Sequence, residues 1–217
     1  MMMEKIFLKN TLKTKMRFLC GILFMSFMVS FGQSNHKNFF RLSGPAKKWA
    51  LLHPLKAKKA LRISLEAKRI SDSIQKTNVL DGDGSGGQVD AFRHAFWMAR
   101  LHQELGKSAA RTLGKAHEKE NYITFKKRKL EEGTLPDKIS SEMDLWNNEQ
   151  GLKLTKKGSK ISKNGLIFRV INAVKSGKLK IIKKDKKGNF LTCKGAKISQ
   201  KELFQKWNNK KCLVASN

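Results

Sequence analysis

Apolar residues recur every three to four positions along most of the chain, and this spacing predicts a mainly α-helical fold. Residues 45–77 are predicted to be helical with a break at His53 and Pro54, because proline cannot donate a hydrogen bond inside a helix. After the break one apolar stripe follows the second helix, formed by Ile63, Ala67, Ile70 and Ile74. The other faces are basic, so this segment is predicted to pack on a core, with docking on a membrane surface as the alternative.

Glycine-rich runs separate this segment from the next helix. The run DGDGSGGQ is predicted to be a loop, because four glycines and two aspartates in eight residues cannot hold a helix. A helix is then predicted from Asp90 to about Leu105, and Gly106 is its stop. Its apolar stripe begins with Phe92, Phe96 and Ala99.

Two more helices are predicted before the chain reaches its last third. Ser108 is the expected cap of a helix over residues 109–128, and the run EEGTLPD then breaks the chain. Ser140 or Ser141 is expected to cap the next helix, which should stop at Gly151. The apolar residues of these two helices are Leu113, Ala116 and Tyr122 in the first, and Met143, Leu145 and Trp146 in the second.

The C-terminal part predicts a smaller mixed region. The run LIFRVINAVKSG is amphipathic, two β-rich runs flank the turn DKKG, and SQKELFQKWNN predicts a short closing helix. The predicted fold class is mainly α, a single helical domain with a small C-terminal β-hairpin and a short closing helix. The expected division is a flexible N-terminal segment at 33–44, a helical core domain with a polar cluster at 45–157, and a helix, hairpin and helix packed on that core at 158–217.

The N-terminus has the pattern of a secretory signal peptide. A cationic lead precedes an apolar run of 14 residues, which is shorter than the about 20 residues that span a bilayer core. Small residues at Ser30 and Gly32 predict cleavage between Gly32 and Gln33, so residues 1–32 would be removed. The mature protein is then expected to be secreted, periplasmic or in the cell envelope. An uncleaved anchor is the alternative.

Charge adds an expectation about partners. The chain has 46 basic and 17 acidic residues, a net charge of +29, and loss of residues 1–32 leaves +25. Such an excess predicts attraction to anionic surfaces and polymers, namely lipid head groups, envelope polymers and, without sequence preference, nucleic acid. Only nine of the basic residues are arginine and no nucleic-acid-binding motif is present, so sequence-specific recognition of nucleic acid is not expected. A lysine-biased solvated surface explains the same charge without a partner.

Two cysteines remain in the predicted mature chain, Cys193 and Cys212. Export permits a disulfide between them, and two free buried thiols are the alternative. They are too few to form a cysteine metal site.

Polar residues on three predicted helices are the candidate functional residues. Asp90 and His94 share a helix face, and Arg93 and Trp97 form a neighbouring pair at the same spacing of four. The next helix carries His117 and Glu118 side by side, followed by Asn121. The third places three polar residues on one face: Asp144, Asn147 and Asn148.

These clusters predict a hydrolase-like site if they converge. A divalent, zinc-like ion is the candidate cofactor, with His94, His117 and Asp144 as candidate ligands and Asp90 or Glu118 as alternative carboxylates. Without a metal, Asp90 would orient His94 as a general base, while Arg93 would stabilise developing negative charge. The candidate substrate-binding residues are Trp97, Asn147 and Asn148. A purely structural hydrogen-bond network, with Asp90 as a helix cap, is the competing interpretation.

Two familiar motifs are incomplete here. HEKEN at His117 starts like the zinc-protease motif H-E-x-x-H, but Asn121 stands at the second histidine position. DGDGSGG resembles the start of an EF-hand loop, with Phe92 where the bidentate glutamate is required. We therefore expect a flexible loop, able to surround an anion, rather than a calcium site.

Three blocks, taken in order, resemble a domain of unknown function that is found in exported bacterial proteins. The blocks are VDAFRHAFWMARLHQELG, KAHEKEN and MDLWNNEQG, within residues 50–155. The resemblance implies that the polar residues of the three blocks belong together, and it implies no particular reaction. By analogy alone, the arrangement is similar to the polar cores of small helical hydrolases.

A weaker resemblance is to secreted phospholipase A2, in which a glycine-rich calcium loop precedes the catalytic helix. In RHAF, His94 matches the catalytic histidine, but Ala95 stands in place of the calcium-binding aspartate, and that family's disulfides are missing. Phospholipase A2-like activity is therefore a minor alternative. The main alternative to a hydrolase is a non-enzymatic basic envelope module that binds acidic polymers.

Overall fold

The computed structural model describes residues 42–130 and 134–217. Apart from Leu42, these residues belong to the second of two compact units, Ser43–Asn217. The predicted signal peptide, its cleavage site and most of the predicted flexible segment lie outside the described residues.

Seven helices and one two-stranded sheet make up the described fold, which confirms the predicted fold class. The elements are α1 (Gly44–Leu52), α2 (Pro54–Gln75), α3 (Gln88–Leu105), α4 (Lys107–Lys126), α5 (Lys138–Lys153), α6 (Lys163–Lys175), β1 (Lys180–Ile182), α7 (Gln200–Gln205) and β2 (Leu213–Ala215). Within the described ranges, none of the helices combines the length and the apolar character needed to cross a membrane.

The break between α1 and α2 falls at His53, and Pro54 occupies the first turn of α2, as predicted. Proline is tolerated there because the first turn of a helix has no intrahelical acceptor for its amide. The α2 stripe packs on the core, with Ile63 and Ala67 fully buried.

Helix α3 lies at the centre of the fold, packed against α2, α4, α5 and α6. Twelve of its eighteen residues are buried, so it is not the amphipathic surface helix that its predicted stripe describes. It begins at Gln88, two residues before the predicted start, because Gly87 is its N-cap. Asp90 is therefore inside the first turn and is not the helix cap.

Two predicted caps are wrong. Helix α4 begins at Lys107, directly after Gly106, which ends α3 with a φ of 92° and so replaces Ser108 as the boundary. Helix α5 is capped by Asp137, whose side chain accepts a hydrogen bond from the Ser140 amide, rather than by Ser140 or Ser141. Ser140 and Ser141 therefore lie inside the first turn, after the residue that accepts the hydrogen bond from the free amide.

The predicted stop at Gly151 is also wrong, because α5 continues to Lys153. A Cβ atom on Gly151 would lie 2.2 Å from the backbone oxygen of Ala95. This glycine therefore allows α5 to cross α3 at very short distance, and its role is packing rather than helix termination.

The small sheet joins distant parts of the C-terminal region. β1 pairs antiparallel with β2, in the register Lys180 with Ala215, Ile181 with Val214 and Ile182 with Leu213. The two runs around the turn DKKG meet through a single bridge between Lys184 and Phe190. A disulfide joins Cys193 to Cys212, immediately before β2.

Candidate metal and catalytic site

The polar faces of α3, α4 and α5 converge on one cavity of about 50 Å³. This volume admits a few water molecules or a small ion. Its wall includes Asp90, Arg93 and His94 from α3, His117 from α4 and Asp144 from α5. Five of the six predicted catalytic residues therefore line a single space.

Asp90, His94 and Asp144 form the compact centre of this site, here called the Asp–His–Asp cluster. His94 Nε2 lies 3.5 Å from Asp90 Oδ1 and 3.3 Å from Asp144 Oδ1. One ligand atom from each residue lies within 4.8 Å of the others, and all three side chains are buried. Among the described residues, these three form the group of histidine and acidic side chains that lies close enough together to share a metal ion.

The distances suit a metal ion. Zinc binds imidazole nitrogen and carboxylate oxygen at about 2.0–2.2 Å, so two ligands at tetrahedral positions lie about 3.3 Å apart. The two separations from His94 are within a few tenths of an ångström of that value, whereas the group as a whole spans up to 4.8 Å, so the two aspartates would move closer together on binding an ion. Of the ligands suggested from the sequence, the compact group contains His94, Asp144 and the alternative carboxylate Asp90, and it does not include His117.

Electrostatics keep His94 neutral, which is the form that binds a metal. Burial lowers the pKa of His94 to about 3, and the Arg93 and His117 charges act in the same direction, against the opposite effect of Asp90. Burial also tends to raise the pKa of Asp90, but the Arg93 guanidinium, His94 and the Gly86 amide outweigh it and hold that pKa below its usual value. The site thus presents a carboxylate and a neutral imidazole side by side.

Asp90 is positioned at both of its oxygens. Oδ2 accepts a hydrogen bond of 2.7 Å from the Gly86 amide, and Oδ1 accepts one from Arg93 Nη2. Gly87 allows this tight entry into α3, because a Cβ atom there would lie 2.4 Å from the Asp83 side chain. The glycine-rich loop therefore positions Asp90.

Asn148 is a further neighbour of His94. It raises the pKa of His94, although His94 Nδ1 and both Asn148 amide atoms lack a hydrogen bond of good geometry to any described residue. Gly114 makes room for this amide, since a Cβ atom there would come within 3.2 Å of Asn148 Nδ2.

His117 and Trp97 border the Asp–His–Asp cluster. The His117 ring centroid lies 5.9 Å from that of His94 and 5.7 Å from that of Trp97. Burial and the Arg93 charge lower the pKa of His117 to about 4. The Trp97 ring is held in place by a hydrogen bond that its Nε1 donates to Ser64 Oγ. His117 is therefore a neutral base at the edge of the cavity.

The other candidate residues are not part of the Asp–His–Asp cluster. Glu118 is buried and accepts a 3.2 Å hydrogen bond from Asn121, which lines the cavity. Asn147 uses both amide atoms on the backbone of Lys180, so it ties α5 to β1. The described cavity wall does not include Trp97, Asn147 or Asn148.

Lys211 is a cavity residue that sequence reasoning missed. It is buried against Asp137, lies with its Nζ 3.9 Å from the centroid of the Phe190 ring, and lines the same cavity as His94. Burial lowers its pKa, and Asp137 opposes that effect. Lys211 is one of 37 lysines and belongs to no motif, so the sequence does not distinguish it from the others.

The EF-hand-like loop uses its carboxylates for its own structure. Asp81 accepts hydrogen bonds from the amides of Asp83 and Gln88. Asp83 accepts one from the Ser85 amide and pairs with the Lys184 ammonium. The positive charge beside Asp83 is therefore that of Lys184.

Together these features define a mainly α-helical domain with a buried carboxylate–histidine site at the junction of three helices. The chain belongs to the family described as Domain of unknown function (DUF6973), which matches residues 47–178, more than half of the 217 residues. This match confirms the resemblance to a domain of unknown function. Comparison with curated proteins and with solved structures gives no match.

Proposed function

We propose that this protein is a metal-assisted hydrolase whose metal ion is held by the Asp–His–Asp cluster. The observation that carries the proposal is the convergence of His94 Nε2 with Asp90 and Asp144 at distances of 3.5 and 3.3 Å, in a buried cavity. Imidazole and carboxylate donors suit zinc, and three protein ligands leave one position for water.

The neighbouring residues supply the rest of a hydrolytic mechanism. A metal ion held by the cluster would lower the pKa of a bound water, and His117, which is neutral at pH 7 and lines the cavity, would accept the proton of that water. The water oxygen would add to the electrophilic centre of an ester or phosphoester, and the leaving group would take the proton from His117. Arg93 stabilises the negative charge that develops on the substrate.

The charges of the cavity favour an anionic substrate. With a divalent ion in place, the positive charges of the ion, Arg93 and Lys211 would exceed by one the negative charges of Asp90, Asp144 and Asp137, the last of which pairs with Lys211. Neutral His94 and His117 add no charge near pH 7. A phosphate- or carboxylate-bearing substrate is therefore preferred over a neutral one.

The proposal is tested by measuring hydrolysis of phosphodiester, carboxylester, lipid and peptidoglycan substrates, with and without a chelator. Activity should be lost with the chelator, return with zinc, and be abolished by His94→Ala. His102→Gln is a matched control on the same helix, because His102 contacts the Leu152 carbonyl away from the described cavity wall. Absence of chelator-sensitive hydrolysis across the four substrate classes would refute the hydrolase.

A second function is favoured by the net charge of +25 that remains after loss of residues 1–32, which is independent of the cavity. In this proposal the protein is a basic module of the cell envelope, exported after cleavage near Gly32, that binds anionic polymers. The bridge between Cys193 and Cys212 supports an oxidising compartment. Retention on a polyanion column should fall steeply as salt is raised, and salt-independent retention would contradict it.

A further inference from the structure

The corner between α1 and α2 exposes three leucines to solvent. Leu51 and Leu52, at the end of α1, are each 69% exposed, and Leu55, in the first turn of α2, is 85% exposed. Leucines scattered singly on a surface are ordinary, but these three lie within five residues at one bend of the chain. We call them the leucine corner.

Packing explains why the corner faces outward. Trp49 and Ala50 are buried, and Trp49 Nε1 donates a 3.0 Å hydrogen bond to Thr112 on α4. The Trp49 ring also stacks on the His53 ring at 4.5 Å between centroids. These contacts fix the orientation of α1 and leave its last two leucines on the opposite side, so the exposure is a consequence of the fold.

The chain segment that carries the leucine corner has charge of one sign. Residues 44–65 contain six basic residues and no acidic one. The basic residues are Lys47, Lys48, Lys56, Lys58, Lys59 and Arg62. Lys59 pairs with Glu104, while the other five make no ion pair with any described residue. Apolar side chains within an uncompensated basic surface match the interfacial region of an anionic bilayer.

We infer that the leucine corner is a membrane-docking surface that inserts its leucines at the interface of anionic bilayers. Leucine insertion supplies the hydrophobic contribution, and the lysines and Arg62 contact the lipid head groups. A soluble acidic polymer would use the charge but leave the leucines in water. The membrane is therefore the partner that accounts for both features. This inference is independent of the chemistry proposed for the cavity.

The test is co-sedimentation of the full chain with vesicles of phosphatidylglycerol and phosphatidylcholine, and with vesicles of phosphatidylcholine alone. The protein should bind the mixed vesicles and bind the neutral ones at least about tenfold more weakly. Replacing the corner with Leu51→Ser, Leu52→Ser and Leu55→Ser should lower binding to the mixed vesicles at least about tenfold.

A matched control removes three exposed apolar side chains elsewhere, through Val79→Ser, Leu130→Ser and Phe168→Ser. This variant should bind like the parent, and circular dichroism checks that both variants are folded. Equal binding by the leucine-corner variant and the parent overturns the inference. Binding to a heparin column without binding to either vesicle also overturns it, because charge alone would then explain the interaction.

Discussion

At the scale of single residues, Asp90 shows what allows a carboxylate to stay charged inside this protein. It is 7% exposed, and its charge is offset by Arg93 and by the Gly86 amide. Removing one partner of a buried ion pair leaves the other partner as an uncompensated charge. Asp90 therefore depends on Arg93 for its ionised state, which a metal site requires.

Arg93→Met should therefore destabilise the protein by about 3 kcal/mol in chemical denaturation at pH 7. The double variant Arg93→Met with Asp90→Asn should recover part of this loss, because no buried charge remains unpaired. Arg111→Met is the control: Arg111 pairs with Glu149 on the surface, where both side chains are more than a third exposed, and its removal should cost about 0.5 kcal/mol. Equal losses for the two arginines would contradict this account of Asp90.

The sequence predicted much of the site but could not select its members. Spacing placed Asp90 with His94 and identified Asp144 on another helix, and these three residues form the Asp–His–Asp cluster. The choice of Asp90 rather than His117 as a ligand depends on distances between helices. The spacing of residues within one helix gives no information on those distances. Lys211 lies outside any periodic pattern and reaches the cavity only through the path of the C-terminal chain.

At the scale of elements, the crossing of α3 and α5 brings His94 and Asp144 together. Gly151 permits the approach, because any side chain there would overlap the backbone of Ala95. The distance between His94 and Asp144 thus depends on a glycine seven residues from Asp144. The cluster is a product of helix packing as much as of its own side chains.

Gly151→Ala should push α5 away from α3 and destabilise the protein by about 3 kcal/mol, measured by denaturant unfolding. Zinc affinity should fall in the same variant, because Asp144 moves away from His94. Gly44→Ala is the control, since a Cβ atom at Gly44 meets nothing within 4 Å. A Gly151→Ala protein with parental stability would show that the crossing is not as close as described.

Periodicity predicted most helices but did not show which faces of α4 and α5 are buried. On α4 the buried residues include Gly114, Glu118 and Asn121, while Tyr122, one of its apolar residues, is 40% exposed. On α5 the buried face carries Asp144, Asn147 and Asn148, whereas Trp146 is 43% exposed. Hydrophobic spacing assumes that polar residues face water, and this assumption fails on helices that carry a buried polar site.

At the scale of the whole molecule, the C-terminal chain completes the cavity wall. Lys211 precedes Cys212, which is joined to Cys193, and β2 then pairs with β1. Asn209 and Lys211 both contact Asp137, the cap of α5. The disulfide and these contacts hold a distant segment against the helical core.

Replacing both cysteines by serine should lower the free energy of unfolding by about 3 kcal/mol, because the bridge restricts the unfolded chain. The helical content measured by circular dichroism should stay close to that of the parent below the unfolding transition, since the core of α2, α3 and α6 does not depend on the bridge. Addition of a reductant to the parent should reproduce the effect and should leave the double variant unchanged. Unaltered stability on reduction would show that the bridge does not form.

The fold class was predictable because helices are encoded locally, in spacing and in breaks such as Pro54. The pairing of β1 with β2 was not, because it joins residues more than thirty positions apart and follows from the closure of the whole chain. The match to the family ends at residue 178, before β1 begins.

The central claim is that the Asp–His–Asp cluster binds a divalent metal ion, and zinc titration by isothermal calorimetry tests it most directly. The metal-free parent should bind one zinc ion per chain at a site that is lost in Asp90→Asn, His94→Gln and Asp144→Asn and retained in His102→Gln. Each variant removes one ligand atom while keeping nearly the same volume. Zinc binding by the three cluster variants with parental affinity, or no stoichiometric binding by the parent, would contradict the claim.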